Sequence, residues 1–469
     1  MHPHFVHIVR LFAAGVFVVG VCAGACGARA QDIPAPGSAQ VLQAEFPERK
    51  FPGLQEILRE GLAAGPTILM SEWNAAAAAQ DAKGAGGRAS MLPSIGGWTQ
   101  FGQSYEQHKG DGAPSRSLTA FFYDVNLFQP VYQWNVLTNN YQIKKLYQAM
   151  SERNIAETRR VLAITIRSRY FEIILKAGEL GLARKNMERL ERDRREMEQA
   201  IADGTQAAGM IDGPNRSIQV AKPEIMRLEN ELAGLKRSLV LLTGLPESTI
   251  DNMPVEIPAL PEQQTHDALY ALSAGAKPPP SSRLQDLTDS VRIAKLTFDN
   301  NKKILYPKLG VVLDLNQQSR TANYSNQGQR YVFTTWSALA QVNWTFFDGF
   351  GASAAKRASL ERMKIAEAGR SQAERQEGDD RRAEVAALQV QWERLVNTER
   401  DLARARGGMI ITDQDFNNGL VSARDAENTR VNYENVLQGA QAARAAFYIA
   451  LVTCLSNRGQ DPVIMAMQR

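Results

Sequence analysis

The sequence has little of the chemistry on which most enzymes run. Of 469 residues, five are histidine and three are cysteine. His2, His4, His7, Cys22 and Cys26 all lie near the N-terminus, so the body of the chain holds only His108, His266 and Cys454. A lone cysteine closes no internal disulfide, and the place of Cys454 in an apolar helical seam marks it as a small buried hydrophobe. No cysteine–histidine set has metal-ligand spacing, and there is no nucleophile elbow or phosphate loop. Neither a metal, nor a cofactor, nor catalysis is expected. Lysine plus arginine number 54 against 50 aspartates and glutamates, a net charge of +4. Aromatics are not interleaved with basic clusters, so nucleic acid is not expected as a partner. Beyond Val21 no apolar run approaches the roughly 20 residues of a spanning helix. Any membrane crossing by this chain therefore has to use strands.

The N-terminus has the layout of an export signal over residues 1–30. Arg10 precedes an uncharged run over 11–25, and Ala28-Arg29-Ala30 supplies a small-x-small cleavage site. A weaker route is lipidation at Cys26 after Ala23-Gly24-Ala25, where the aliphatic residue expected three before the cysteine is missing.

What the chain does have is one long pattern stated twice. Tyr132 answers to Phe347, Gly204 to Gly419 and Gly244 to Gly459, each at a shift of 215, and Leu92-Pro93 answers to Tyr306-Pro307 at 214. The register survives inside a helix, where Ala221, Ile225, Leu228, Leu232, Leu235 and Leu239 map onto Val436, Ala440, Ala443, Phe447, Ala450 and Cys454. Both sets run in steps of four and three, the seam of helices packed side by side. A first repeat over 31–245, a proline-rich linker over 246–282, a second repeat over 283–459 and a tail over 460–469 follow from this pattern.

Each repeat reads as helix, strand pair and long helical hairpin. The first has strands near 93–105 and 118–132 and a hairpin over 136–243; the second has strands near 307–319 and 331–347 and a hairpin over 352–456. The first rod, about 67 residues at 1.5 Å each, is about 100 Å long. Turns fall at Asp203-Gly204 and Asn418-Gly419. In the strands Phe121, Tyr123, Val125 and Leu127 alternate with Asp124 and Asn126, and Leu309, Val311, Leu313 and Leu315 with Asp314 and Asn316. Such alternation describes any half-buried strand, but two details point to lipid. The strands are long enough to cross a tilted path, and Trp98, Trp134, Trp336 and Trp344 lie in or just beyond them, as an interfacial aromatic belt requires; a packed core is the competing use of those rings. The polar segments over 106–117 and 319–330 read as long external loops. Four strands cannot close a barrel, and open edges are not tolerated in lipid, so several copies must contribute; two give eight strands and three give twelve.

This order of elements resembles the TolC-like outer-membrane efflux proteins over essentially the whole mature chain. The resemblance is carried by Leu92-Pro93-Ser94, Tyr306-Pro307-Lys308-Leu309, Trp344-Thr345-Phe346-Phe347-Asp348-Gly349, and Asn418-Gly419-Leu420-Val421 through Asp425. It implies a mainly α protein with membrane β-strands, assembled as a homotrimer whose twelve-stranded barrel in the outer membrane continues into a periplasmic α-helical barrel. It also implies a periplasmic adaptor protein and an inner-membrane pump as partners, with adaptor contacts at the tips around Gly204, Asn418, Gly419 and Leu420. An aspartate six residues after the turn glycine belongs in that family to a constricting acidic ring, and here that position is Asp425. On sequence alone Asp425 is equally a solvent-exposed helix aspartate. Asn428, Phe416 and Val421 stand where the family can carry an aspartate, a tyrosine and an arginine, and the first repeat has Met210 opposite Asp425. The polar latch is therefore expected to be weakened or replaced by apolar packing. The other reading of the chain is a periplasmic coiled-coil structural or adaptor protein, which explains the rods but not the strands.

Overall fold

Eight residues decide where this chain turns. The computed structural model describes residues 46–84, 86–106, 116–250, 253–254, 256–259, 280–324 and 327–467; the signal segment with Cys26, both histidines of the body and most of the linker lie outside these. Among the described residues, those with left-handed backbone are Trp134, Asn135, Gly204, Gly244, Gly349, Phe350, Gly419 and Gly459. They form four pairs at the 215-residue shift: Trp134 with Gly349, Asn135 with Phe350, Gly204 with Gly419, and Gly244 with Gly459. The first two pairs break a strand and launch a long helix, the third reverses it, and the fourth ends the return helix. A non-glycine residue there costs on the order of 1–3 kcal/mol, so the Trp134 and Phe350 conformations must be held by their surroundings.

Helix α1 (Pro52–Ala64) and helix α2 (Pro66–Lys83) are separated at Gly65, because Pro66 cannot donate to the preceding turn. Strands β1 (Ser94–Glu106) and β2 (Arg116–Tyr132) lead into α3 (Val136–Ala202), which returns through α4 (Asp212–Thr243). Helix α5 (Ser282–Lys302) opens the second round. Strands β3 (Lys308–Tyr324) and β4 (Gln327–Asn343), the rod α6 (Gly351–Asn417) and the return helix α7 (Ala423–Asn457) complete it, and a short α8 (Pro462–Met467) follows. Both rods are 67 residues long and begin at corresponding positions. Glycine and alanine are tolerated within them, and spaced ion pairs such as Lys176–Glu179 and Arg404–Asp401 support their exposed faces.

The sheet is an antiparallel meander in the order β1-β2-β3-β4, so β1 and β4 are its two open edges. Two expectations are corrected here. The 319–330 segment is not a long loop: β3 and β4 stay paired out to Tyr324 opposite Gln327, leaving a two-residue connection. Strand β4 stops at Asn343 rather than 347, because Gly349 and Phe350 turn the chain into α6 and Asp348 Oδ2 accepts from the backbone N–H of Ala352 at 2.6 Å. At the same end of the sheet Val131 bulges out between Pro130 and Tyr132, where proline cannot serve the ladder.

The rods are packed only over part of their length. One core gathers Leu54, Ile57, Leu58 and Leu62 of α1 with Ile166, Tyr170, Phe171 and Ile174 of α3, Leu239 of α4 and Tyr448 of α7. The other joins Leu388, Trp392 and Leu395 of α6 to Phe447, Leu451, Cys454 and Leu455 of α7. The expected seam is present in graded form: Leu228, Leu239, Ala440, Ala443, Phe447 and Cys454 are buried, while Leu232, Leu235 and Val436 are half-buried. Burial pushes the Cys454 thiol above its ordinary pKa, consistent with an inert packing role.

At the level of these cores sits a buried charge clasp. Arg167 of α3, 1% exposed, pairs with Asp461 through two hydrogen bonds of 2.6 and 3.1 Å and with Glu48 through its Nε. Phe46 lies across the guanidinium at 5.4 Å, and Ser456 donates to Asp461 at 2.7 Å. One arginine thus holds residues from both ends of the described chain against the middle of a rod. Glu48 and Asp461 respond oppositely. Burial pushes Glu48 above its ordinary pKa by more than Arg167 offsets; burial also works against charge on Asp461, but Arg167 and Ser456 hold it below. The raised group favours the fold most below about pH 4.3 and loses that contribution as pH rises. The depressed group contributes above about pH 3.9 and loses it as pH falls further.

Glu48→Gln is therefore expected to gain stability relative to the parent as pH rises from 4 to 8. Asp461→Asn is expected to cost about 3–5 kcal/mol at neutral pH, the gap narrowing in acid, as read from denaturation midpoints across pH. Phe447→Asp should lower the unfolding temperature steeply, since an uncompensated buried charge costs several kcal/mol. Leu235→Lys should lower it less, because its site is half-open and a lysine stem can reach water; equal losses would contradict that placement.

Candidate channel-forming surfaces

Two regions hold the sequence-flagged residues: the sheet at one end of the rods and the helical turns at the other. Cross-strand partners share a face, so the registers sort the sheet residues. Ile95, Phe101, Phe121, Val125, Leu127, Leu313, Leu315, Trp336, Ala338 and Val342 fall on one face. Trp98, Asp124, Asn126, Asp314, Asn316 and Ser337 fall on the other, where Asn316 donates to Asp124 Oδ2 at 3.2 Å. The apolar face is open in the single chain, with Phe101 76% and Trp336 79% exposed. The second face is mixed, since Phe122, Phe128, Val312 and Leu339 share the phase of Asp124 and Asp314, and the two edge strands leave backbone groups unpaired.

The four tryptophans separate. Trp336 lies on the apolar face, and Trp344 is half-exposed one residue beyond β4. Trp98 is opposite Asp124 and so on the mixed face, because it is out of phase with Ile95 and Phe101. Trp134 is a junction residue: its ring stands edge-on between Tyr132 and Tyr306 at 5.0 and 5.1 Å, and its Nε1–H donates to the Pro307 carbonyl at 2.7 Å. That network explains how a tryptophan is held with left-handed backbone.

At the first tip Gly204 N–H bonds to Ile201 O and Thr205 N–H to Ala200 O, the left-handed glycine cap of a helix end. The return helix does not start at once. A 3-10 turn over Ala208–Ile211 intervenes, carrying Met210 exposed, before α4 begins at Asp212. At the second tip Gly419 and Leu420 close the same cap, with Phe416 and Leu420 exposed. Here α7 starts four residues earlier in register, because Ser422 is a working N-cap. Its Oγ accepts from Asp425 N–H at 3.2 Å and donates to Asp425 Oδ2 at 2.6 Å. Asp425 is thus exposed and has a local structural role at the positive end of a helix. Asn428 is exposed and Val421 half-exposed on the same tip.

Sequence reading missed the charges that link the hairpins near these tips. Lys185 and Arg192 of α3 pair with Glu434 and Glu427 of α7, each at 2.5 Å, and within the second hairpin Arg430 of α7 pairs with Asp413 of α6 at 3.0 Å. All lie at least partly in water, where such pairs are worth about 0–1 kcal/mol each. A residue so close to the Asp425 turn as Glu427 could have been flagged, but its partner lies 235 positions away.

The outer membrane efflux protein family model matches residues 284–455. Over its second repeat the chain carries the outer membrane efflux protein sequence pattern. Solved channels share the fold at low identity. The CmeC outer membrane channel of Campylobacter jejuni aligns with a TM-score of 0.70 at 12% identity, over 87% of this chain and 86% of its own. The outer membrane protein VceC of Vibrio cholerae gives 0.66 at 13%, over 88% and 98%. The open state of the MtrE outer membrane channel of Neisseria gonorrhoeae gives 0.64 at 13%, over 87% and 89%. A search of curated protein sequences finds no match. The TolC-like fold thus spans nearly the whole chain, mostly helical with a four-stranded sheet, and the matching family is one of efflux proteins, not enzymes. Among the described residues no helix is long and apolar enough to cross a membrane, and no histidine, cysteine or acidic cluster could hold a metal.

Ser422→Ala should remove the α7 cap, costing about 0.5–2 kcal/mol, detectable as faster amide exchange over the first turn of α7 with exchange at the mid-rod cores unchanged.

Proposed function

We propose that this protein is the outer-membrane channel of a tripartite efflux or type I secretion system, a passive conduit that three copies form together. The observation that carries this reading is the sheet: four strands, two open edges, one largely apolar face and one mixed face that holds Asp124, Asn126, Asp314 and Asn316, continuous with two rods of 67 residues. Open edges cannot persist in lipid, and three copies supply twelve strands, enough for a lumen rather than a packed interior. In that closure the apolar face meets lipid and Asp124, Asn126, Asp314 and Asn316 line water. The rods, about 100 Å each, continue the lumen as a helical tunnel through the periplasm.

The tips form the periplasmic entrance. Asp425 copies facing one axis would make an acidic constriction, with Phe416, Val421, Asn428 and Met210 as its apolar and neutral surroundings. The exposed turns at Gly204 and Asn418-Gly419-Leu420 are the surfaces offered to a periplasmic adaptor, which couples the channel to an inner-membrane pump. The Lys185–Glu434 and Arg192–Glu427 pairs tie one hairpin to the other, and their small individual worth suits a closure that has to be released. The likeness to outer membrane channels over nearly nine-tenths of the chain supports this assignment.

The test is recovery in the outer-membrane fraction together with discrete conductance in planar bilayers. Asp425→Asn should lower cation preference, because it removes the charge while keeping an acceptor for the cap. Unchanged selectivity would reduce Asp425 to its capping role. Recovery only as a soluble periplasmic protein would favour the structural or adaptor reading.

A further inference from the structure

The strand-to-helix junction of the second repeat exposes four aromatics, of which only Phe347 has an aromatic counterpart, Tyr132, in the first. Trp344, Phe346, Phe347 and Phe350 are 50, 77, 69 and 74% exposed, and they touch mainly one another: Trp344–Phe346 at 4.4 Å and Phe347–Phe350 at 5.4 Å. In the first repeat the equivalent junction is covered from within the chain. Trp134 stands edge-on to both Tyr132 and Tyr306 and donates to Pro307 O, at the point where β2 ends beside the start of β3, although the two tyrosines keep 45 and 44% of their surface open. Tyr306-Pro307 corresponds in the repeat to Leu92-Pro93, which precedes the open edge strand β1. Leu92 is itself 55% exposed. The contact that would cover the second junction is therefore absent from the single chain but present on the far edge of another copy.

We propose that the β2–β3 seam inside the chain is the template for a β4–β1 seam between neighbouring copies, with the second-repeat aromatics closing over Leu92-Pro93 of the next copy. The inference rests on the barrel reading above and adds its register. Phe128 pairs with Val312 within the chain; the repeat shifts carry this pair to Asn343 of one copy opposite Trp98 of the next. The transfer keeps every residue on its own face. Asn343 and Trp98 both belong to the phase of Asp124, and Trp344 falls opposite Gly97 in the apolar phase. The edges are also complementary in size. β1 carries Gly96-Gly97 as its third and fourth residues, which weakens an edge strand unless a large ring packs over it, and Trp344 is that ring. The seam differs from its template in one respect: Trp134 is replaced by Gly349, so no indole donates to Pro93, and Phe347 with Phe350 close the junction by apolar contact alone.

Oxidative cross-linking of the full-length protein in membranes tests this. Trp98→Cys combined with Asn343→Cys should give two- and three-copy bands on non-reducing denaturing gels, abolished by reductant and absent from either single variant. Gly96→Cys with Asn343→Cys, on the same face but two residues out of register, should link several-fold less. Leu92→Cys with Phe347→Cys should link as the first pair does. Linking by the Gly96 pair instead of the Trp98 pair, or within one copy, overturns the register. Failure of the Leu92 pair alone overturns the aromatic closure and assigns those rings to lipid. Three copies joined by an amine-reactive reagent but by no cysteine pair sinks the seam and spares the channel; a protein found as single copies sinks both.

Discussion

Helices of 67 residues are held in place where they bury apolar surface, and in this chain most of that burial falls at one level. The cores around Phe171, Tyr170 and Leu239 and around Phe447, Trp392 and Leu388 sit near the middle of the rods. Everything else is placed by them. Helix α1 docks there, Arg167 gathers both ends of the described chain there through Glu48 and Asp461, and Gln438 of α7 reaches the Leu175 carbonyl of α3 close to Gly178, where a larger side chain would collide. Away from this level the contacts thin to single buried residues such as Ile218, Ala426 and Ser359, hydrogen bonds such as Asn139 to Asn300, and ion pairs. A structure anchored at its middle leaves both extremities, the sheet and the tips, free to be finished by other molecules.

The two repeats agree in backbone and differ in surface. All four left-handed pairs occur at one shift, so the duplicated part is the set of places where the chain turns. The differences lie where single-chain contacts run out. One tip starts its return helix at a serine cap with Asp425 inside it, and the other delays through a 3-10 turn that exposes Met210. One strand-to-helix junction is covered by Tyr306-Pro307, and the other is bare.

Much of the architecture was legible because it rests on local rules. Glycine positions, a proline-free run and period-two alternation placed the rods, the turns and the strands. The misreadings have physical causes. Residues 319–330 are polar and read as a loop, but a strand with water on one side and few apolar partners can be just as polar. Trp344-Thr345-Phe346-Phe347 looked like more strand, since nothing local announces that Phe350 will adopt a left-handed turn. Trp98 was grouped by residue type with Trp336, although its phase in β1 puts it with Asp124.

The sequence by itself placed the two long rods, their turns at Gly204 and Gly419, and the alternation in β2 and β3, all properties of neighbours along the chain. Only the tertiary structure decided that Glu48, Arg167 and Asp461 form one buried clasp, that the Trp134 indole binds the Pro307 carbonyl, and that Asp425 is the partner of the Ser422 cap. Those depend on which distant backbones come within hydrogen-bond reach, and burial then fixes their meaning, because an ion or an indole removed from water must find its partner wherever the fold has put one.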